Sequence, residues 1–210
     1  MPIERELKFS LLDPPPAGSE LVAAFRGSAF ALEERGTHSQ IDHYYDDDGG
    51  SLRRAGLALR RRQRDGSIVA ALKTQGRVEG AVHEREELEA PVVDGRWPTP
   101  IAHALEERLG AGVADTVTPR IELTTVRTEY AALEGGRRVA SVVFDDVEAR
   151  YPGSDRSAHF REAEIEASPG IRLQTLEALA DRLERIVTLT PSGATKLQRA
   201  ELVLLLGEGL

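Results

Sequence analysis

The opening stretch Ile3-Glu4-Arg5-Glu6-Leu7-Lys8-Phe9 alternates strictly, and a period of two is the signature of an extended strand. Successive side chains of a strand leave on opposite faces, so Glu4, Glu6 and Lys8 project together at intervals of ~7 Å while Ile3, Leu7 and Phe9 point the other way, toward a buried apolar back. One such segment fits a half-buried strand with a wetted charged side. The pattern, however, recurs along the chain. Arg60 and Arg62 share a face, Lys73 stands in the apolar run Ala70-Ala71-Leu72-Lys73-Thr74, and His83, Arg85, Glu87 and Glu89 alternate with Val82, Glu84, Glu86 and Leu88. Arg127 and Asp145 follow in later β-branched runs, and Glu162, Glu164 and Glu166 lie on one face. In a flat sheet these faces are merely the wet side. In a closed barrel of about eight strands they line an interior wide enough for one small ligand, and the apolar outside is left for helices to cover.

Turn signals support that arrangement. Asp65-Gly66 joins Leu57 to Arg64 with Ser67 to Gln75, and Glu134-Gly135-Gly136 joins Arg120 to Leu133 with Arg137 to Val147, both as hairpins. Further extended segments are expected in Phe30 to Asp46, Ala81 to Val92 and Ala158 to Ala167, with a turn at Asp47 to Gly50 and a loop at Gly76 to Gly80. Apolar residues return to helical spacing after Ser19, read as an N-cap, and again over Trp97 to Gly110, Ile171 to Val187 and Ala194 to Leu206. The prediction is an α+β chain. A single domain over residues 1–210 holds an eight-stranded antiparallel β-barrel, a tunnel with helices packed on its outside, and ends in a C-terminal helix at about 194–206.

Composition narrows the chemistry. A net charge of -8, from 27 basic and 35 acidic residues, argues against a general partner of duplex nucleic acid or of a membrane surface. There is no cysteine, which removes disulfides, thiolate metal sites and cysteine nucleophiles. No apolar run precedes Glu4 and none approaches the ~18 residues of a membrane span, so the expected location is the cytoplasm.

A lumen holding both signs of charge requires its groups to pair or to bind something. Lys8, Arg60, Arg62, Lys73, Arg85 and Arg127 suit a compact polyanion, because arginine forks hold phosphate oxygens bidentately and lysine adds a point charge. The carboxylate pairs Glu4 with Glu6 and Glu164 with Glu166 suit a hard divalent cation, Mg2+ or Mn2+, that bridges to phosphate. His83 is better read as a hydrogen-bonding lumen residue than as a ligand.

In this order, the E-x-E-x-K of Glu4 to Lys8, Gly56-Leu57-Ala58-Leu59-Arg60-Arg61-Arg62, Leu72-Lys73, Arg85-x-Glu87-x-Glu89 and Glu162-x-Glu164-x-Glu166 resemble the CYTH proteins, the triphosphate tunnel metalloenzymes, over essentially the whole chain. The segment from Ala71 through Arg85 looks most like the bacterial inorganic triphosphatase branch. The resemblance implies a tunnel that hydrolyses triphosphate with a divalent metal. It implies metal ligation by Glu4, Glu6, Glu89, Asp145, Glu164 and Glu166, and substrate contacts from Lys8, Arg60, Arg62, Lys73, Arg85, Arg127 and Lys196, the last from the C-terminal helix near one tunnel mouth. Glu4, Glu6, Lys8 and Glu87 would carry the catalysis, Glu87 by positioning metal or the attacking water. One departure is Thr125, where many relatives have a basic residue, which implies one phosphate contact fewer.

The expected activity is hydrolysis of inorganic triphosphate to diphosphate and phosphate, with no covalent nucleophile. Two alternatives stand beside it: action on an organic triphosphate, as in thiamine triphosphatase or class IV adenylyl cyclase relatives, and a non-catalytic polyphosphate-binding module. A lipocalin-like carrier is disfavoured, since its lumen would be apolar. The sequence does not set the oligomeric state, and a homodimer is compatible with it.

Overall fold

The computed structural model describes residues 3–207. In the first half, strands β1 (Ile3–Leu11), β2 (Phe30–Asp46), β3 (Leu57–Arg64), β4 (Ser67–Thr74), β5 (Arg77–Glu79) and β6 (Val82–Pro91) are interrupted by helices α1 (Gly18–Ala24) and α2 (Ser51–Arg54). Helix α3 (Thr99–Leu109) leads to the long strands β7 (Thr118–Glu134), β8 (Arg137–Arg150) and β9 (Ser157–Ala167). Helix α4 (Leu173–Glu184), strand β10 (Thr190–Pro191) and helix α5 (Lys196–Leu206) complete the order.

The wall runs β1-β9-β8-β7-β2-β3-β4-β6, antiparallel throughout, and β6 pairs back onto β1 to close eight strands into a barrel. The closing strand is staggered. Residues Ile3 to Leu7 of β1 pair with β6, whereas Glu6 to Leu11 pair with β9, so β1 is hydrogen-bonded along both edges. The two glycine hairpins form as their turn chemistry demands: Asp65 (φ 50) and Gly66 (φ 75) connect β3 to β4, and Gly135 (φ 57) and Gly136 (φ 80) connect β7 to β8.

Three helices cover the outside. Leu7, Phe9 and Leu11 face away from the bore and pack in one cluster with Leu21 and Phe25 around α1 and with Leu176, Leu179 and Leu183 of α4. On the opposite wall Leu59 and Leu72 pack against Ile101 and Leu105 of α3, and the Arg61 guanidinium lies 3.9 Å from the centre of the Trp97 ring. Helix α5 sits elsewhere. Its Ala200, Val203 and Leu204 pack on Tyr44, Leu123, Val147 and Phe160, each two positions along its strand from Asp42, Thr125, Asp145 and Glu162 respectively. Two-residue spacing keeps a side chain on the same face of a strand, so these apolar residues belong to the inner wall and α5 closes one end of the bore.

Several local expectations need correction. Ile3 is 73% exposed rather than part of a buried back, because it precedes the part of β1 that α4 covers. Ala17, not Ser19, is the N-cap of α1. The loop from Gly76 to Gly80 contains β5, and α2 and β10 also lay below the length at which periodicity is readable. Helix α2 forms because carboxylates satisfy its first amides: Asp47 accepts from Ser51 N–H at 2.9 Å, and Asp46 accepts from Leu52 and Arg53 N–H at 2.9 and 3.1 Å.

Gly76 (φ 63) ends the turn after β4, and a Cβ there would run into the Glu84 carbonyl oxygen and the Arg85 side chain on β6. Gly76→Ala is therefore expected to strain the backbone by about 1–3 kcal/mol and to lower the Tm by at least about 2–4 °C. A thermal melt superposable on that of the unsubstituted protein would show that the turn is not held this closely.

Candidate active site

The inner face of the barrel bounds a cavity of about 600 Å3. Lys8, Arg60, Arg62, Lys73, Arg85, Arg127 and Lys196 all line it, and so do Glu4, Glu6, Glu87, Glu89, Glu164 and Glu166. Asp145 does not line it and lies behind, fully enclosed at 2% exposure. The chain has only three lysines, Lys8, Lys73 and Lys196, and every one of them faces this space.

Acids and bases contact one another around the wall, which lets them neutralise one another. At the β1–β6 seam, Arg85 donates from Nε to Glu4 at 2.9 Å and from NH2 to Glu6 at 2.6 Å, while Lys73 Nζ lies 3.1 Å from Glu4 and 2.9 Å from Glu87. Lys8 Nζ lies 3.5 Å from Glu6 and donates to Glu164 across the β1–β9 pair. On β3, Arg62 makes a fork to Asp42 at 2.8 and 3.0 Å, and Arg60 lies 3.8 Å from both Asp42 and Glu87 and 3.3 Å from Glu89. Glu89 is half-exposed, at the rim. Arg127 forks onto Asp145 at 2.8 and 2.6 Å and reaches Glu164 at 2.9 Å.

Three residues that the sequence reading did not assign to the site hold this network. Asp42 is completely buried and anchors both Arg60 and Arg62. Gln40, its amide oxygen turned to Arg62, accepts at 3.2 and 3.0 Å. Glu162 lies 2.9 Å from Lys196. A signal for the first two was present, since Gln40, Asp42 and Tyr44 alternate in a strand. Thr125 is fully buried and its hydroxyl has no hydrogen-bond partner, so it offers the bore no charge. The His83 Nε2–H donates to the Ser192 carbonyl at 2.8 Å, tying β6 to the segment that leads into α5.

Burial raises carboxylate pKa values and nearby cations lower them, and the balance differs around the wall. Burial would lift Glu4 and Asp42, but Lys73 and Arg85 in the first case and Arg60 and Arg62 in the second hold them at about 2. Burial dominates at Glu87, with Lys73 opposing it and Glu4 adding to it, and the group rises to about 7. Glu166 also rises to about 7, through burial and then through Glu4, Glu6 and Glu164. Among the described residues no basic group lies within 4.0 Å of Glu166, so the wall it shares with Glu4 and Glu6 is rich in carboxylate charge. That all-oxygen donor set fits a hard divalent cation. The tightest acidic grouping among the described residues is a different one: Asp145, Glu162 and Glu164 bring ligand atoms within 4.8 Å of one another.

A closed antiparallel barrel whose bore is lined by E-x-E-x-K on the first strand coincides with a family match: the model of the CYTH domain matches residues 2–200. The chain belongs to the CYTH domain family. No curated protein matches its sequence. Among solved structures, this CYTH chain is similar to HpAC1 of Hippeastrum, assigned as an adenylyl cyclase and described as having a dominant triphosphatase activity. The TM-score is 0.64 and the identity 20%, over 99% of this chain and 97% of that one. It is also similar to a Bacillus halodurans protein assigned as an adenylate cyclase, with a TM-score of 0.60 and 17% identity over 95% and 98% of the two chains. The triphosphatase of the mimivirus capping enzyme aligns with a TM-score of 0.51 and 12% identity, over 88% of each. At these identities the likeness is one of fold. Among the described residues, no helix is long and apolar enough to cross a membrane.

The carboxylates set a pH dependence of stability. Glu87 and Glu166, raised from 4.5 to about 7, take up protons on folding, so their contribution to stability falls as pH rises through that window. Glu4 and Asp42, held at about 2, contribute stability present above their ordinary range and lost as pH falls toward about 2. In metal-free protein, Glu166→Gln is expected to raise the Tm by about 2–4 °C near pH ~8 and to leave it unchanged near pH ~5. An equal effect at both pH values would contradict the assignment.

Proposed function

We propose that this CYTH protein hydrolyses a triphosphate in its bore with the help of Mg2+ or Mn2+, and that inorganic triphosphate is the substrate, giving diphosphate and phosphate. The observation that carries the reading is the convergence of seven basic side chains from six elements into one cavity, each held in place by carboxylates. A chain of phosphates bears closely spaced negative charges, and preorganised guanidinium forks and ammonium groups can bind them without reorganising.

In this reading Arg60, Arg62, Arg85 and Arg127 orient the non-bridging oxygens, with Lys8 and Lys73 adding charge between them. A divalent ion on Glu4, Glu6 and Glu166 would supply further neutralisation of the phosphoryl oxygens. Glu87, with its pKa near 7, accepts a proton from the water that attacks the terminal phosphorus, and the bond to the leaving diphosphate breaks in line with that attack. Phosphoryl transfer of this kind needs positioning and charge rather than a covalent nucleophile.

A second reading is favoured by the α5 end of the cavity, where Tyr44, Ile121 and Leu197 line its wall. Those apolar surfaces would accommodate the organic group of a nucleoside or thiamine triphosphate. The relatives described as a triphosphatase and as cyclases share this tunnel fold.

Phosphate release from inorganic triphosphate, ATP, thiamine triphosphate and diphosphate, each with Mg2+ and Mn2+, separates these readings. Inorganic triphosphate is expected to be turned over fastest. Arg62→Ala removes a bidentate charged contact of about 1.5–3 kcal/mol and should lower kcat/KM by roughly 10- to 100-fold, with Arg85→Ala at least as severe. Unchanged kcat/KM in both variants would overturn the site, and tight triphosphate binding without turnover in either metal would make the protein a binding module instead.

A further inference from the structure

Lys196 faces the cavity from helix α5 rather than from the barrel wall. It opens α5 directly after the Thr195 N-cap, whose capping box with Gln198 fixes the first turn. Its ammonium is 6% exposed. The Nζ donates to Asp145, lies 2.9 Å from Glu162 Oε1 and 3.9 Å from Glu164 Oε1, and so contacts every member of the tight acidic triad.

By spacing alone, three carboxylates this close form a cage for a hard cation. Their charge is already balanced. Lys8 pairs with Glu164, Arg127 with Asp145 and Glu164, Arg199 lies 4.0 Å from Glu162, and Lys196 pairs with all three. Asp145 and Glu162 are also shut off from the cavity, whereas Lys196 and Glu164 line it, so the lysine stands between the bore and those two carboxylates. A divalent ion in the cage would meet an ammonium at contact distance, and like charges in a desolvated site repel strongly.

We infer that the Lys196 ammonium is the resident cation of the Asp145–Glu162–Glu164 triad, and that seating α5 in the barrel end excludes divalent metal from it. Metal binding is thereby confined to the adjoining carboxylates Glu4 and Glu6 of β1 and Glu166 of β9. The inference rests on the functional reading only for that second statement; the latch follows from the ion pairs of α5. Ala200, Val203 and Leu204 hold the helix independently of the charge, so neutralising Lys196 unlocks the cage without removing its lid.

The test is the number of Mn2+ ions bound by the full chain, counted by electron paramagnetic resonance titration in the absence of substrate. Lys196→Met is expected to bind about one ion more than the unsubstituted protein, because the triad then loses the cation that touches all three of its carboxylates. Lys196→Arg, which keeps the charge, is expected to bind the same number as the unsubstituted protein. Adding Asp145→Asn to Lys196→Met should remove the extra ion. Should Lys196→Met not fold, as judged by circular dichroism, Lys196→Gln takes its place with the same expectation. No gain on neutralising Lys196, or an equal gain in Lys196→Arg, overturns the latch. The count for the unsubstituted protein reads the functional proposal separately: no bound ion, with one gained in Lys196→Met, upholds the latch and removes the metal-dependent reading. A bound ion with no gain does the reverse.

Discussion

Placing so many ionised groups inside a barrel would unfold a protein of ordinary stability if the two signs were segregated, because each buried charge loses several kcal/mol of solvation. What makes the bore tolerable is that each acid-rich stretch is met by cations from other elements. Arg85 faces Glu4 and Glu6 across the seam, Lys8 meets Glu164 on the other edge of β1, and Asp42, Asp145 and Glu162 stand behind the cations that line the cavity. Closure and charge pairing depend on each other. Without the β6–β1 hydrogen bonds the partners would be on opposite edges of an open sheet, and without the partners the seam would bring bare charges together.

The paired network also prepares the site for a polyanion. An arginine fixed by buried acceptors has already lost its rotamer freedom, so little ordering remains when phosphate oxygens arrive. Asp42 and Gln40 confer this on Arg62, and Asp145 confers it on Arg127. The exception is the wall around Glu166, where carboxylates outnumber their cations and the proton affinity of the group rises in consequence.

Much of this was legible in the sequence, for reasons that also mark where legibility ends. Strict alternation told which side chains share a face, and Asp65-Gly66 and Glu134-Gly135-Gly136 told which strands are neighbours. Together these give a tunnel with Glu4, Arg60, Arg85 and Glu164 turned inward. Parity carries no information about distance across a bore, so the grouping of Glu162 with Asp145 and Glu164 was not readable. Nor was the retreat of Asp145 behind Arg127. Asp42 escaped notice because one acid in an aromatic-rich strand resembles a solvated turn approach more than an anchor. The amphipathic spacing of the last helix showed an apolar face but not that this face meets the inner rather than the outer wall. Elements of two to four residues, α2, β5 and β10, carry too few positions for any period to register.

The confinement of every lysine to the bore has a practical side. Positive charge on the outer wall is supplied by arginine, so the exterior offers no side-chain amine to acylating reagents. Coupling a dye or a solid support through lysine would attack the cavity's own cations and obstruct it. The chain lacks cysteine as well, so a single thiol introduced on the exposed surface of β7 or β8 would be the only such group available for attachment, leaving the interior chemistry untouched.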